Sequence, residues 1–391
     1  MINDWIAGLL RSFGAVDWIV VLVTSIVSVV ALLGFVVLSV LFATWIERKL
    51  IGRFQIRYGP NRAGKFGLLQ PVADAIKVMG KEAITPFDVD KLVFWAAPIV
   101  AFLPGMLTWA VVPFAPGAAL ADLDTGILFV MAIGALGVVP VFMAGWASNN
   151  KYSLLGAMRA VAQTVSYEIP LVLSLVGLIL FANSLRLSDL VAFQHSSGWF
   201  LFLQPLAFVC FFIAASAELN RTPTDIMEGE SEIVGGYHTE YSGFKFSLFY
   251  VAEYTHLFAV SALVTTLFLG GWGIVSGLEF VPGVVWFILF VVKVNLVFCV
   301  FVWTRATLPR LRVDQLMDFA WKFLIPLTLI NIGVAAVEVF LALPGVLVFL
   351  VNVVLAGILI AGWTQVLGKI SGLPPHLGPA QPRAAVPHAA R

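Results

Sequence analysis

The acidic segment from Ala217 to Tyr241 is the part of this sequence with the clearest capacity for chemistry. It reads AELNRTPTDIMEGESEIVGGYHTEY, lies between two long apolar runs, and has Arg221 as its only Lys or Arg. Crowded carboxylates repel one another, so some hold protons at neutral pH, and such groups can both load and release a proton. We therefore interpret the segment as a proton relay. Its carboxylates are Glu218, Asp225, Glu228, Glu230, Glu232 and Glu240.

A solvated acidic loop is the alternative interpretation, because a run of like charges is usually exposed to water. Two features favour the relay. Apolar residues such as Ile226 and Ile233 alternate with the acids, and glycines such as Gly235 suit close packing.

Other ionisable side chains lie inside apolar runs, where an ionised group costs about 2.5–3.5 kcal/mol. Glu168 comes two residues before Pro170, which bends a helix and frees a carbonyl, so its carboxyl is suited to hold a proton or a cation. A neutral acid retained for helix packing is the alternative. Glu253 and Lys293 lie in two later runs, and the lysine has to be neutral, hydrated or paired with an acid. Helices in a bundle turn such residues inward, so we expect them to form a polar path with Glu218.

The triplet Glu47, Arg48 and Lys49 is expected to close the first apolar run. For Arg48 and Lys49, two interpretations are equally good: a functional role, or an anchor at the membrane edge, where long basic side chains extend toward water. Glu47 fits that interpretation less well. Glu338, near the outer end of the eighth run, is interpreted as an ordinary interfacial residue.

The composition predicts an all-α integral membrane protein. The 391 residues are 60% hydrophobic and 12% charged, with mean hydropathy +0.98, whereas soluble domains carry about 25% charged residues. The net charge of +1 gives no reason to expect nucleic acid as a partner. The 2 cysteines lie singly and the 5 histidines have no metal-ligand spacing, so any redox cofactor is expected in another chain.

Residues 1–372 are predicted to form one polytopic membrane domain, because a spanning helix needs about 20 apolar residues. The stretch 68–82 is too short to span and is apolar at helical spacing, which predicts an interfacial amphipathic helix. An acid-rich loop covers 218–247, and the Pro-rich tail 373–391 is predicted to be disordered. The predicted spans, about nine, are 18–46, 92–113, 126–146, 154–182, 200–217, 248–272, 284–303, 323–343 and 346–366.

The distribution of Lys and Arg predicts the orientation, because these residues concentrate in cytoplasmic loops. Most of them follow the odd-numbered spans or lie in the tail, whereas the opposite side has only Arg11 and Arg186. The N-terminus is therefore expected outside the cell, and the C-terminus and the acid-rich loop in the cytoplasm.

Four long segments resemble one known family. They are ERKLIGRFQIRYGPNRAGKFGLLQPVADAIKVMGKE, GWASNNKYSLLGAMRAVAQTVSYEIPL, AELNRTPTDIMEGESEIVGGYHTEYSGFKFSLFYVAEY and TRATLPRLRVDQLMDFAWKFLIPL. They resemble the H-type membrane subunit of the bacterial proton-pumping NADH:quinone oxidoreductase, respiratory complex I, in order and at the family's spacing from about Glu47 to Leu327. One departure is Thr224, because the family commonly has Phe between Pro223 and Asp225, which puts the local packing of the loop in doubt.

The resemblance implies a subunit of a translocating enzyme of the bacterial inner membrane that is inactive alone. It implies quinone as the substrate and no cofactor bound by this chain, with FMN and Fe–S clusters held in partner subunits. The implied partners are the peripheral-arm subunits that enclose a quinone chamber, small membrane-arm subunits, antiporter-like pumping subunits and the lipid bilayer.

The resemblance also implies roles for individual residues. The coupling acids are Glu168, Glu218, Asp225, Glu228, Glu230, Glu232 and Glu253, with Lys293 on the same polar axis. The quinone chamber and the junction with the peripheral arm involve Glu47, Arg48, Arg57, Arg62, Asp74, Glu82, Arg305 and Arg310, and Lys322 belongs to the same basic loop as Arg310.

Three alternative functions stay open. The related membrane component of a membrane-bound hydrogenase or ferredoxin-driven complex need not keep a quinone pocket, and the segment RYGPNRAGKFGLLQP favours the quinone enzyme over it. An ion-coupled transporter is disfavoured because the sequence has no internal repeat. A passive anchor for the peripheral arm would not need the buried acids.

Overall fold

The computed structural model describes residues 16–227, 233–273 and 282–370, with side chains described as far as Ile358 in the last helix. Every regular element in these residues is helical, which confirms the all-α prediction. The helices are α1 (Asp17–Phe54), α2 (Gln70–Met79), α3 (Lys91–Val111), α4 (Gly126–Leu136), α5 (Val138–Ala147), α6 (Lys151–Ala182), α7 (Leu187–Ser197), α8 (Phe200–Leu203), α9 (Pro205–Glu218), α10 (Gly243–Phe268), α11 (Gly283–Thr307), α12 (Val313–Phe319), α13 (Ile325–Phe340) and α14 (Gly345–Ile370).

The fold is that of a multi-pass membrane protein. In the described part of the chain, 7 helical segments are long and apolar enough to cross a bilayer, and two shorter apolar helices accompany them, Pro205–Glu218 and Gly345–Ile358. A helix or a pair of helices lies on each apolar stretch that the sequence picks out. The tail 373–391 lies outside the described residues.

Helix α1 is longer than the sequence predicts. It continues beyond Ile46 to Phe54, and its last turn is closed by the N–H of Gln55, which donates to the Ile51 carbonyl at 3.0 Å. Glu47 and Arg48 therefore project from the body of a helix instead of its end. This changes their neighbours, because a helical residue contacts whatever packs against its face.

The predicted span 200–217 is a broken helix. Gln204 separates α8 from α9 with φ −132° and ψ 60°, and Pro205 follows it directly. Proline lacks an N–H and disfavours helical geometry in the preceding residue, so α8 cannot continue into α9. Helix α9 has 14 residues, which gives it a length of about 21 Å, less than the hydrocarbon core of about 30 Å.

Two further elements differ from the prediction. Helix α7 fills the link before α8 and was not predicted; its buried residues Leu187, Leu190 and Val191 recur at helical spacing. The eighth predicted span begins earlier than expected, at the start of α12, and a π-helical turn at Ala320–Leu324 joins α12 to α13. Pro326, in the first turn of α13, has no N–H to offer to that turn.

Helix α10 forms the centre of the bundle. It is buried along most of its length and contacts α1, α3 and α11. Gly105 permits the close approach of α3, because a Cβ there would lie 2.9 Å from the Thr255 side chain of α10. Two ionisable residues of α10, Glu253 and His256, are thereby half-buried within the bundle.

Helix α2 lies inside the stretch 68–82 predicted to be amphipathic. Val72, Ile76 and Met79 are exposed on it, while Asp74 reaches back to α1 through an ion pair with Arg48. Its location at a membrane interface stays a prediction.

Candidate functional site: a buried ion-pair network beside two cavities

Arg221, in the loop after α9, is the centre of the candidate site. Its Nη1 donates to Glu47 Oε2 of α1 at 2.9 Å, and its Nε donates to Glu253 Oε1 of α10 at 3.0 Å. The guanidinium carbon lies 4.5 Å from the ring centroid of Tyr254. A planar guanidinium suits such a bridge, because its fork of donors can serve two carboxylates while its face stacks on an aromatic ring.

Arg305 of α11 completes what we call the ion-pair network, defined as Glu47, Arg221, Glu253 and Arg305. Its Nη1 donates to Glu47 Oε1, so two guanidinium groups share one deeply buried carboxylate. Burial opposes the charge of Arg221, but Glu47 and Glu253 more than offset it and hold the pKa of Arg221 well above its ordinary value. The network therefore pairs two acids with two permanent cations.

The loop that carries Arg221 is fixed by hydrogen bonds from neighbouring polar side chains. Gln163 of α6 donates from Nε2 to the Ala217 carbonyl at 2.7 Å and to the Thr224 carbonyl at 2.8 Å. The Thr224 hydroxyl is 2.7 Å from the Arg221 carbonyl and 3.2 Å from the Ser216 carbonyl. Thr224, at the position where the resembled family has an aromatic residue, thus holds the loop by hydrogen bonds.

A cavity of about 780 Å³, including its open mouth, adjoins the network. We call it the Glu253 cavity; its polar lining includes Glu218, Asn220, Glu253 and His256. Because Glu253 is also bonded to Arg221, one carboxylate belongs to both the network and the cavity.

A second cavity of about 430 Å³, including its open mouth, lies on the other side of Glu218. We call it the Glu168 cavity; it is lined mainly by apolar residues, with Glu168, Glu218 and His256 among its polar groups. Glu218 and His256 line both cavities, together with Gly134. Glu253 lines one cavity and Glu168 lines the other, and the shared wall lies between the two cavities.

The shared wall depends on two side chains and one glycine. His256 Nε2 lies 3.5 Å from Glu218 Oε1, and the glutamate side chain is 12% exposed. A Cβ on Gly134 of α4 would lie 3.1 Å from the same Oε1 atom, so the glycine makes room for the carboxylate. Sequence reasoning missed His256, although its place three residues after Glu253 puts both on one face of α10.

The remaining predicted residues divide into several groups. Arg48 and Asp74 form an ion pair between α1 and α2; desolvation opposes the charge of Asp74, but hydrogen bonds from Arg48 and Gln70 outweigh it and lower its pKa. Asp225 is half-buried in the loop after Arg221. Glu228, Glu230 and Glu232 lie outside the described residues. The other residues predicted to have a role are all exposed to solvent: Arg57, Arg62, Glu82, Arg310 and Lys322.

Among the described residues, Lys293 binds backbone carbonyls and forms no ion pair with an acid. Its Nζ donates to the backbone carbonyls of Leu269, Gly271 and Gly273 at 2.7, 3.1 and 2.5 Å, just beyond the C-terminus of α10. The ammonium thus satisfies carbonyls at a helix end, where a cation is favoured by the helix dipole. The prediction that it belongs to the polar path with Glu218 is not met by this geometry.

The interfacial interpretation of Glu338 is wrong. Its side chain is in the interior, with the residue 2% exposed, and it accepts hydrogen bonds from Gln204 and Asn352. The sequence suggested an interfacial place because Glu338 is near the end of α13, but α14 folds back and covers it.

Among the described residues, no group of three or more His, Cys, Asp and Glu is placed to hold a metal ion.

The fold and the ion-pair network together define a polytopic helical membrane protein with a buried network of carboxylates and guanidinium groups.

Comparison with known proteins assigns the family. A family model described as NADH dehydrogenase matches residues 27–336. The NADH-quinone oxidoreductase H subunit of Dehalococcoides mccartyi is 57% identical over 81% of this chain and 87% of the relative. The corresponding subunits of Brevibacillus brevis and Geobacillus kaustophilus are 51% and 52% identical, over 84% and 78% of this chain and 95% and 91% of theirs. The chain belongs to this NADH dehydrogenase family.

Proposed function

We propose that this chain is the membrane subunit of a proton-translocating NADH:quinone oxidoreductase that forms part of the quinone chamber and couples quinone reduction to proton movement. The observation that carries the proposal is the shared wall, where Glu218 and His256 line both the Glu253 cavity and the Glu168 cavity. It gives a proton a short route between acids on three helices of the bundle, α6, α9 and α10.

The ion-pair network supplies the link to redox chemistry. Electrons arrive from an Fe–S cluster of a neighbouring subunit, and quinone takes up two electrons and two protons to become quinol. Negative charge that develops on the quinone competes for Arg221 and Arg305, and it acts strongly because Coulomb energies rise as the local dielectric falls. Glu253 then loses part of its counter-charge and takes up a proton.

From Glu253 the proton passes through its cavity to Glu218 and His256, and onward to Glu168. Histidine is suited to such a step, because one nitrogen of its ring can accept a proton while the other donates one. Asp225 and the acids Glu228, Glu230 and Glu232 supply protons to this route from the cytoplasmic side, which is the side that the basic loops assign to the segment.

We propose that quinone enters through an apolar groove between α1, α10 and α11, which measures about 600 Å³ including its open side. Phe35, Leu38 and Phe42 of α1 line one wall, and Phe258 and Phe290 line the other. An apolar tail loses little on moving from lipid into such a groove. Arg48 and Asp74, which tie α2 to α1, are assigned by the family resemblance to the segments around the quinone entrance.

We also propose the docking side for the peripheral-arm subunits. Several of the exposed predicted residues follow α1 or α11, and both helices end on the side of the network. This side would then face the cytoplasm and the N-terminus the periplasm. The implied residues are Arg57, Arg62, Glu82 and Arg310, and the small membrane-arm and antiporter-like subunits would adjoin the Glu168 end.

The test is Glu218→Gln in membranes, with NADH:quinone reduction and NADH-driven proton uptake assayed side by side. We expect both rates to fall together by at least tenfold, while NADH oxidation by an artificial hydrophilic acceptor survives. Asp318→Asn is the matched control, because Asp318 is an exposed acid paired with Lys322 on the surface, and it should retain both rates.

Retention of both rates in an assembled Glu218→Gln complex would remove the proposed relay. Loss of the artificial-acceptor activity would show an assembly defect; Glu218→Asp, which keeps an acid, then decides whether chemistry or packing is at fault.

A further inference from the structure

A second polar cluster lies at the opposite end of α9 from Glu218, and it has no part in the proposed relay. Gln204 is at the break before α9, Glu338 and Asn331 are on α13, and Asn352 is on α14. Helix α9 alone separates Gln204 from Glu218 by about 21 Å. We call these four residues the amide–acid cluster.

The Glu338 carboxyl is held by amides instead of cations. Gln204 Nε2 donates to its Oε2 at 3.1 Å, and Asn352 Nδ2 lies 2.8 and 3.0 Å from its two oxygens. Asn352 also reaches the Leu203 carbonyl at 3.1 Å, at the broken end of α8. Among the described residues, no Lys, Arg or His forms an ion pair with Glu338.

Several polar atoms around this carboxyl have no hydrogen-bond partner among the described residues. They are Gln204 Oε1, Asn352 Oδ1, and both Oδ1 and Nδ2 of Asn331. Each of these residues is at most 1% exposed. Buried polar atoms are almost always bonded, and a buried water commonly supplies about three hydrogen bonds to atoms that protein groups leave unpaired.

Gly177 of α6 leaves space beside two of these unpaired atoms. The position that its Cβ would occupy lies 3.4 Å from Asn331 Nδ2 and 3.6 Å from Gln204 Oε1. A water seated between these two atoms would accept from the Asn331 amide and donate to the Gln204 carbonyl oxygen. The missing side chain thus leaves room between a donor and an acceptor that lack partners.

The protonation state follows from the surroundings of the carboxyl. The amide N–H groups favour the ionised carboxyl, but desolvation without a counter-cation opposes it, and among the described residues no cation pairs with Glu338. Amide N–H groups already point at both carboxyl oxygens, which disfavours a metal cation at the same place. The acid O–H has acceptors nearby in the amide oxygens and the water.

We propose that Gln204, Asn331, Glu338 and Asn352 enclose a binding site for one proton and at least one bridging water, at the break between α8 and α9. The proton resides on Glu338, and the water joins Asn331 to Gln204 beside Gly177. The site stabilises the junction of α8, α9, α13 and α14. It does not depend on the proposed proton relay.

The proton is tested by infrared spectroscopy of the purified intact complex. We expect Glu338→Gln to remove a carbonyl-stretch band of a protonated carboxylic acid, whereas the control Asp318→Asn removes the bands of an ionised carboxylate. Loss of carboxylate bands in Glu338→Gln would overturn the proposal. If that variant does not assemble, Glu338→Asp is used, and a shifted acid band supports the proposal while an unshifted spectrum opposes it.

The water is tested by Gly177→Ala, with Gly333→Ala on α13 as the matched control. In a dry site the new methyl would make ordinary contacts, and alanine forms helix better than glycine, so stability would rise. In a hydrated site the methyl displaces the water, so we expect the temperature of half-inactivation of the complex to fall. Gly333 has open space around it, and its variant should hold or raise that temperature; a rise in both variants would refute the bridging water.

Discussion

Glu47 and Glu338 are equally buried, each 2% exposed, yet their partners differ completely. Glu47 binds the guanidinium groups of Arg221 and Arg305, whereas Glu338 binds the amides of Gln204 and Asn352. Burial alone therefore does not determine what an acid can do in this bundle. The partners determine the protonation state of the carboxyl. Cations favour the ionised form, whereas amides without a cation allow the protonated form.

The two regions also differ in how they tolerate change. The ion-pair network holds balanced charges, so removal of one member leaves another buried charge without its partner. The amide–acid cluster holds neutral groups, so removal of one hydrogen bond has a smaller and more local cost.

The largest effect is expected for Arg221→Met. Glu47 and Glu253 would lose a shared guanidinium, and breaking a buried pair costs about 3–5 kcal/mol. We expect the subunit content of membranes, measured by quantitative immunoblot, to fall severely. Arg305→Met is the control with a smaller expected loss, because the Arg305 side chain is 34% exposed; equal losses in both variants would contradict a network centred on Arg221.

The direct comparison of the two acids is Glu47→Gln against Glu338→Gln. The first removes the charge that two guanidinium groups share, at a cost of several kcal/mol, about that of a broken buried pair. The second keeps a neutral polar group in an amide shell, at a cost of about 1 kcal/mol. Thermal inactivation of the two purified complexes should rank them in that order, and the reverse order would break the comparison.

An intermediate effect on stability is expected from lowering the pH, through His238. This residue packs the end of the acidic segment against Phe246 and Phe249. Burial lowers the pKa of His238 to about 3, so it is neutral in the folded protein, whereas the unfolded segment takes up a proton below about pH 6.5. The stabilisation is complete above that pH and is lost at about 1.4 kcal/mol per pH unit as the pH falls toward the folded pKa.

The corresponding measurement is limited proteolysis of the acidic segment in the intact complex between pH 7.5 and pH 5. We expect cleavage of the wild type to accelerate as the pH falls, and His238→Phe to remove most of that acceleration. An unchanged acid response in His238→Phe would assign the sensitivity to the neighbouring carboxyls instead.

The smallest effect is expected for Asp74→Asn. The pair with Arg48 is partly exposed, with the side chains 43% and 35% accessible, and such pairs contribute about 0.2–1 kcal/mol. The lowered pKa of Asp74 means that its contribution is present at neutral pH and is lost only as the pH falls through the folded pKa. Thermal stability of the variant should differ little from wild type and less still at high salt; a large loss would place this pair with the buried network.

Much of the fold followed from local pattern. Apolar runs such as 154–182 and 284–303 predict helices because length and hydropathy decide burial in a bilayer, and α6 and α11 lie where expected. The break at Gln204 and the early start of α12 were missed. The first was signalled by Pro205, but an apolar run on both sides hid it.

For the site, the sequence identified Glu47, Glu218 and Glu253 as costly charges that need a reason, yet it did not say which cations hold them. It missed His256, and it placed Lys293 with the acids and Glu338 at the interface. Each error has the same origin, because an intramembrane charge can be recognised from its own surroundings in the chain but its partner cannot.

By itself the sequence determined the class of protein, the helices and the charges that must be explained, since these depend on composition and on spacing within a single helix. Only the tertiary structure decided the pairing. Arg221 lies 174 residues from Glu47 along the chain, and Arg305 lies 258 residues from it. Whether a buried acid meets two guanidinium groups or an amide shell depends on how α1, α9, α11, α13 and α14 pack, and helical spacing contains no information about contacts over such distances.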